Sequence, residues 1–188
     1  MDEAAAKSAI VAAGRRLGAR GLISAGEGNL SVRLDADRIL VTPSGRRKDE
    51  LEATDLVAVR IGHAERDARS ATGLSPSSDL AIHLAVYAAR PDIGAVVHAH
   101  LPASMALTLA GEIPDPAALS QGSDPLPGAA LLERHGAVAV GPELTTAVDR
   151  LELVEVLCRT WADAVLLRAA RAGRLRRRVR RSRRSGGT

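Results

Sequence analysis

The sequence predicts an α/β fold in a single domain, and three observations carry that prediction. Its 188 residues are enough to bury one core without disulfide staples. Long segments with apolar residues at helical spacing are interleaved with short runs that alternate or are rich in β-branched residues. Gly, Pro and Asp clusters punctuate the joins.

Residues 3–20 place Ile10, Val11, Ala13 and Leu17 on one side of a helix that Gly21 ends. NLSVRL (29–34) and RILVTP (38–43) alternate apolar and polar residues across LDADR, which reads as two strands and a turn. TPSGRRKDEL is a loop, DLVAVRIG (55–62) a further strand, and HAERDARSATG (63–73) a turn with His63 at the surface. The clearest helix follows in SPSSDLAIHLAVYAARPD (75–92). Pro76, Ser77, Ser78 and Asp79 are start signals, Arg90 and Pro91 stop signals, and His83 is one of its residues.

IGAVVHAH (93–100) is a buried strand, PASMALTLAG (102–111) a helix, and the proline-rich stretch 112–128 an irregular connection. AALLERHGAVAVG (129–141) reads as two strands around a His-Gly turn. The last helix carries Val148, Leu151, Val154, Cys158, Trp161 and Val165 on one stripe, with Glu155 and Arg159 as an exposed i,i+4 pair.

Composition narrows the function. Removing the eight arginines between Arg174 and Arg184 from the net charge of +4 leaves −4 for the body, so the basic character belongs to the segment 173–188. With no apolar face there, that segment is expected to be a mobile tail. Arginines of this kind can neutralise phosphates. Without aromatic platforms, in a chain with one Trp, one Tyr and no Phe, specific nucleic-acid binding is not expected. GEGN at 26–29 is too slight to indicate a dinucleotide site.

No apolar run approaches the roughly 20 residues of a membrane span. The acidic start MDEAAAKSAI lacks a secretory core, and the lone Cys158 has no intrachain partner. A cytoplasmic protein without membrane contact is therefore expected.

The chemistry is concentrated in three histidines beside strand or turn signals: His98, His100 and His135. In extended chain, residues i and i+2 share a face, so His98 and His100 can converge on one ion. Neutral imidazole suits zinc and its neighbours. Spacing alone equally permits two polar residues at a strand end. Asp79 also suits a helix start through the helix dipole alone, and the serines and glycines suit turns and caps. Hydroxyl and N–H donors beside a helix start, as at SPSSD, equally suit an anion site.

Five motifs in register go further. GNLSVRL (28–34), ILVTPSG (39–45), PSSD (76–79), IHLAVYAARPDIGAVVHAH (82–100) and LLERHGAVAVG (131–141) resemble the class II aldolase/adducin family, in the same order. The resemblance implies a three-layer α/β/α sandwich over residues 1–172 with a central, mostly antiparallel sheet, assembled as a homotetramer. It implies a divalent ion, commonly Zn2+ and otherwise Mn2+ or Co2+, held by His98, His100 and His135 with Asp79 able to approach it. Asp79 is then the acid/base group, and Asn29, Ser44, Gly45, Ser77 and Ser78 hold the phosphate of a small sugar-phosphate substrate. The implied activity is a carbon–carbon lyase of the aldolase type, working through a metal-stabilised enediolate.

The adducin branch lacks the histidine set, so the chain is more similar to the enzymes. Two departures stand out. Asp79 occupies a position where the aldolases carry glutamate and the sugar-phosphate 4-epimerases aspartate, which keeps an epimerase as an alternative. The 101–134 stretch is shorter than in the family enzymes and contains no tyrosine, which keeps a degenerate, metal-binding and non-catalytic member as another.

Overall fold

The computed structural model describes residues 2–62, 68–115 and 128–185. The first part of the expected 63–73 turn, with His63, and most of the expected 112–128 connection lie outside the described residues.

Helix α1 (Glu3–Ala19) starts at Asp2, whose side chain accepts from the Ala5 N–H, and buries Ile10 and Leu17. The strands are β1 (Asn29–Arg33), β2 (Arg38–Val41), β3 (Val57–Arg60), β4 (Ala95–Ala99), β5 (Ala129–Leu132) and β6 (Gly136–Gly141). They form one sheet of order β3-β2-β1-β4-β6-β5 with every neighbouring pair antiparallel. Helices α2 (Leu80–Ala89), α3 (Pro102–Leu109) and α4 (Leu144–Ser185) and a single 3-10 turn (Ala53–Asp55) complete the described elements.

Strand periodicity sorts the side chains into two cores. Leu30 and Val32 of β1, Val97 of β4 and Ala137 and Ala139 of β6 pack with α1, α3 and α4. The alternate residues Ile39, Val41, Val57, Val96 and Val138 pack with Leu80 and Tyr87 of α2. Helices therefore cover both faces, the α/β/α sandwich that the resemblance implies. α2 is further tied to the sheet by Arg33, whose guanidinium donates to the carbonyls of Ile93 (2.9 Å) and Tyr87 (2.8 Å). Among the described residues no helix is long and apolar enough to cross a membrane.

One expectation is corrected. Glu155 is not exposed: it is 2% accessible, and its carboxylate accepts from the Ala103 N–H in the first turn of α3 at 3.2 and 3.3 Å while Arg159 Nε donates to it at 2.8 Å. The residue before α3, Leu101, has no capping side chain, so the carboxylate from α4 serves that end. Surface-pair spacing on a lone helix cannot reveal that another helix covers it. Glu155→Ala is expected to cost about 1–2 kcal/mol, as loss of a helix cap does, and Glu155→Gln less. Urea unfolding midpoints check this, and an unchanged midpoint for the alanine variant contradicts it.

In the arginine-rich segment, for which composition predicts a mobile tail, the backbone continues α4 to Ser185. Arginine and leucine are strong helix formers, and no proline interrupts the run.

Candidate active site

The site gathers at one end of β1, β4 and the β5–β6 turn. β1 pairs with β4 so that Asn29 stands opposite His98, and β4 pairs with β6 so that His98 stands opposite Val138. His98 is buried on the α2 face, and His100 follows on the same side where the chain leaves the strand. His135 arrives from the turn after β5, where Arg134 and Gly136 both have positive φ, +58° and +96°. Only glycine fits at 136, because a Cβ there would lie 2.1 Å from the Ala99 carbonyl oxygen.

The three imidazoles are mutual neighbours. Ring centroids are separated by 5.1 Å (His98–His100), 4.7 Å (His98–His135) and 4.6 Å (His100–His135). One ring nitrogen from each lies within 4.8 Å of the others. His98 Nδ1 donates to the Ala137 carbonyl at 3.0 Å, which fixes the tautomer and leaves Nε2 as a bare acceptor. That Nε2 is buried and has no hydrogen-bond partner among the described residues. Burial, and then the charges of His135 and His100, push the His98 pKa below its ordinary value, so the lone pair stays available. An orphaned, deprotonated imidazole nitrogen facing two more imidazoles fits a borderline divalent cation.

Asp79 stands at the N-terminus of α2 but makes no capping bond there. Its Oδ2 accepts instead from Asn29 Nδ2 at 2.7 Å and lies 3.9 Å from His98 Nε2. The carboxylate is thus turned toward the histidines rather than spent on the helix. His100 Nδ1 lies 3.2 Å from Glu27 Oε2, an acidic neighbour that sequence reasoning passed over.

The residues expected to hold phosphate are brought together with these groups. A cavity of 240 Å3 is lined by Asn29, Ser44, Gly45, Ser77, Ser78, Asp79, His100 and His135. Backbone bonds place the two serine loops side by side: Ser77 N–H donates to the Thr42 carbonyl and Ser44 N–H to the Ser75 carbonyl. A larger cavity of 560 Å3, bounded by Ile113, Leu131, Val154 and Cys158, lies on the α3–α4 side and contains none of these groups.

Two further residues escaped the sequence reading. Lys48 also lines the small cavity and is 2% accessible; its ammonium donates to the Gly26 and Arg46 carbonyls, both at 2.6 Å, and so joins the turn before Asn29 to the loop carrying Ser44. Burial lowers its pKa, and the negative charge of Asp79 opposes that shift. The other is His83, fully buried beneath Asn29. A signal for it existed: Asp79, His83 and Tyr87 recur at i, i+4 and i+8, a polar line along one face of an otherwise apolar helix.

Comparison with known proteins accords with this geometry. The profile of the class II aldolase and adducin N-terminal domain matches residues 8–126 and 117–162. Methylthioribulose-1-phosphate dehydratase from Acidiphilium cryptum is 43% identical over 105 residues, covering 56% of this chain and 48% of that protein. The chain thus matches about half the length of that relative. 5-Methylthioribulose-1-phosphate/5-deoxyribulose-1-phosphate aldolase from Rhodospirillum rubrum is 32% identical over 184 residues, covering 84% of this chain and 80% of that protein. Among solved structures, l-fuculose-1-phosphate aldolase from Thermus thermophilus superposes with a TM-score of 0.71 at 26% identity, over 89% of this chain and 97% of that one.

Proposed function

The chain belongs to the class II aldolase and adducin family, and from that membership we propose that it is a metal-dependent carbon–carbon lyase acting on a small sugar phosphate. The observation that carries the reading is the bare, buried Nε2 of His98 beside two further imidazoles, with the Asp79 carboxylate 3.9 Å away. His98, His100 and His135 hold the divalent ion, zinc by donor chemistry, with manganese and cobalt as alternatives. When bound, the ion supplies a Lewis acid for the oxygens of the substrate.

The remaining work falls to the chain itself. Ser44, Gly45, Ser77 and Ser78, on two loops joined by backbone bonds, donate to the phosphate and fix the sugar in the cavity. Asn29 holds Asp79 Oδ2, so Oδ1 is the atom that takes and returns the proton. The buried Lys48 ammonium keeps the two anion-binding loops together and adds positive potential under the phosphate. Assembly into a homo-oligomer is part of the proposal, supported by exposed Leu153, Val156 and Leu167 on one side of α4.

Dehydration of the same substrate class is a second reading, favoured by the name of the Acidiphilium relative. Both reactions place negative charge on the oxygen of a carbonyl-bearing substrate and differ in what departs, a carbon fragment or water. The aspartate at position 79 favours a 4-epimerase by family resemblance.

One experiment separates them: reconstituted protein is offered ketose 1-phosphates and pentulose 5-phosphates while aldehyde release, dehydration and epimerisation are followed. Aldehyde release from a ketose 1-phosphate is the expected result. Silence in all three with metal bound favours a non-catalytic member and overturns the proposal. Asp79→Asn is expected to lower kcat by about 10²–10⁴-fold, the usual contribution of a proton-transfer group. Its metal content should stay intact, and unchanged turnover removes Asp79 from its role.

A further inference from the structure

Beneath Asp79 and Asn29 runs a buried polar chain whose further members, His83, Ser31 and Tyr87, have no part in the proposed chemistry. Asp79 Oδ2 accepts from Asn29 Nδ2 at 2.7 Å; Asn29 Oδ1 meets His83 Nε2 at 2.5 Å; His83 Nδ1 meets Ser31 Oγ at 2.6 Å; Ser31 Oγ meets Tyr87 OH at 2.9 Å. Asn29, Ser31, His83 and Tyr87 are each at most 2% accessible. Two elements supply it by their own periods, β1 with residues i and i+2 and α2 with residues i, i+4 and i+8.

We infer that His83 is a positioning residue for the Asp79 carboxylate, acting through Asn29 by a hydrogen-bond chain of single polarity. The inference rests on the reading of Asp79 as the acid/base group. Polarity follows from the end of the chain. A carboxylate accepts, so Asn29 turns its NH2 toward Asp79 and its oxygen toward His83. That oxygen can only accept, so the proton of the imidazole sits on Nε2 and Nδ1 is bare. The Ser31 hydroxyl donates to Nδ1, and the Tyr87 hydroxyl donates to Ser31.

Every donor therefore points toward Asp79, an arrangement in which successive bonds reinforce one another. Burial is the main reason that the His83 pKa is pushed down to about 4, with the charge of His98 adding to it, so the ring is neutral at ordinary pH.

The consequence concerns Asn29. The two ends of its amide have nearly the same shape, so its neighbours decide which end faces Asp79. With Nε2–H below it, the oxygen points down and the NH2 holds the carboxylate. Without that donor the buried Asn29 oxygen has lost its partner and only the bond to Asp79 sets the amide, so the carboxylate is held less firmly in its place beside His98.

Long-range ¹⁵N–¹H spectra of the full chain test the polarity directly, without reference to turnover. The expected result is an Nε2–H tautomer for His83 with an unprotonated Nδ1; an Nδ1–H tautomer overturns the inference. Two variants test the positioning. His83→Gln places an amide N–H near the position of Nε2, and His83→Leu does not. In His83→Leu the Asn29 side-chain NH2 resonances should shift away from their carboxylate-bonded positions, and in His83→Gln they should return.

With thermal midpoints of the two variants matched, kcat should fall about 10–100-fold in His83→Leu, the usual cost of removing a supporting partner. KM should change little, and His83→Gln should recover most of kcat. Equal behaviour of the two variants overturns the inference. Absence of turnover in the wild type overturns the proposed function instead and leaves the tautomer and the Asn29 resonances to decide this one.

Discussion

Protein reconstituted with zinc, manganese or cobalt is expected to hold one ion per chain, and His98→Ala to hold almost none. His98 is held in place for this, because the Ala137 carbonyl sets its tautomer and burial keeps its Nε2 bare. Losing a ligand outright should weaken binding by more than the 10–100-fold that follows loss of a supporting partner, so the ion should leave on dialysis and turnover with it. Metal content by elemental analysis, with chelator-treated and reloaded wild type as control, measures the first effect. His100→Ala and His135→Ala should behave alike if the three act as a set. Wild type that retains no divalent ion after reconstitution would overturn the site. A His98→Ala variant that keeps its full complement would show that His98 is not a ligand.

The second large effect concerns a residue with no side chain. In Gly136→Ala the new Cβ would lie 2.1 Å from the Ala99 oxygen and 2.7 Å from His100 Cα, at a φ of +96° that alanine rarely adopts. Backbone strain and overpacking together should cost about 2–5 kcal/mol. The strain is relieved by pushing the His135 turn away from His100, so metal affinity should fall along with stability.

Gly45→Ala is the control, since Gly45 also has positive φ, +70°, but a Cβ there meets none of the described residues within 4 Å. Its cost should be limited to the backbone, about 1–2 kcal/mol. Urea midpoints and metal content of the two variants, measured in parallel, distinguish them. Equal losses would mean that the close approach of Gly136 to β4 is unimportant.

Several features of the fold and site are legible in the order of residues alone. The α2 helix is bounded by its own start and stop residues, and those signals are local. The convergence of His98 and His100 follows from strand period. Family resemblance then links His135, Asp79 and the serine loops to them, and the structure brings all of these residues to one place.

Other features are silent in sequence because they depend on what packs against what. Glu155 has the spacing of a surface pair, yet α3 lies over it and uses its carboxylate. Lys48 reads as one charge among several in a polar loop, and only tertiary contacts bury it, with its ammonium on the Gly26 and Arg46 carbonyls and α1 against its backbone. The line Asp79, His83, Tyr87 is visible as a spacing, but its meaning requires β1 to present Asn29 and Ser31 to the same face.

By itself, then, the sequence determined the elements, the face on which each strand residue lies and the chemical types of the site, because propensity, period and capping act over a few residues. Tertiary structure alone decided the strand order β3-β2-β1-β4-β6-β5, the approach of the His135 turn to β4 and the burial of Lys48, His83 and Glu155. Those depend on contacts between residues tens of positions apart, where desolvation and close packing, rather than local preference, set the outcome.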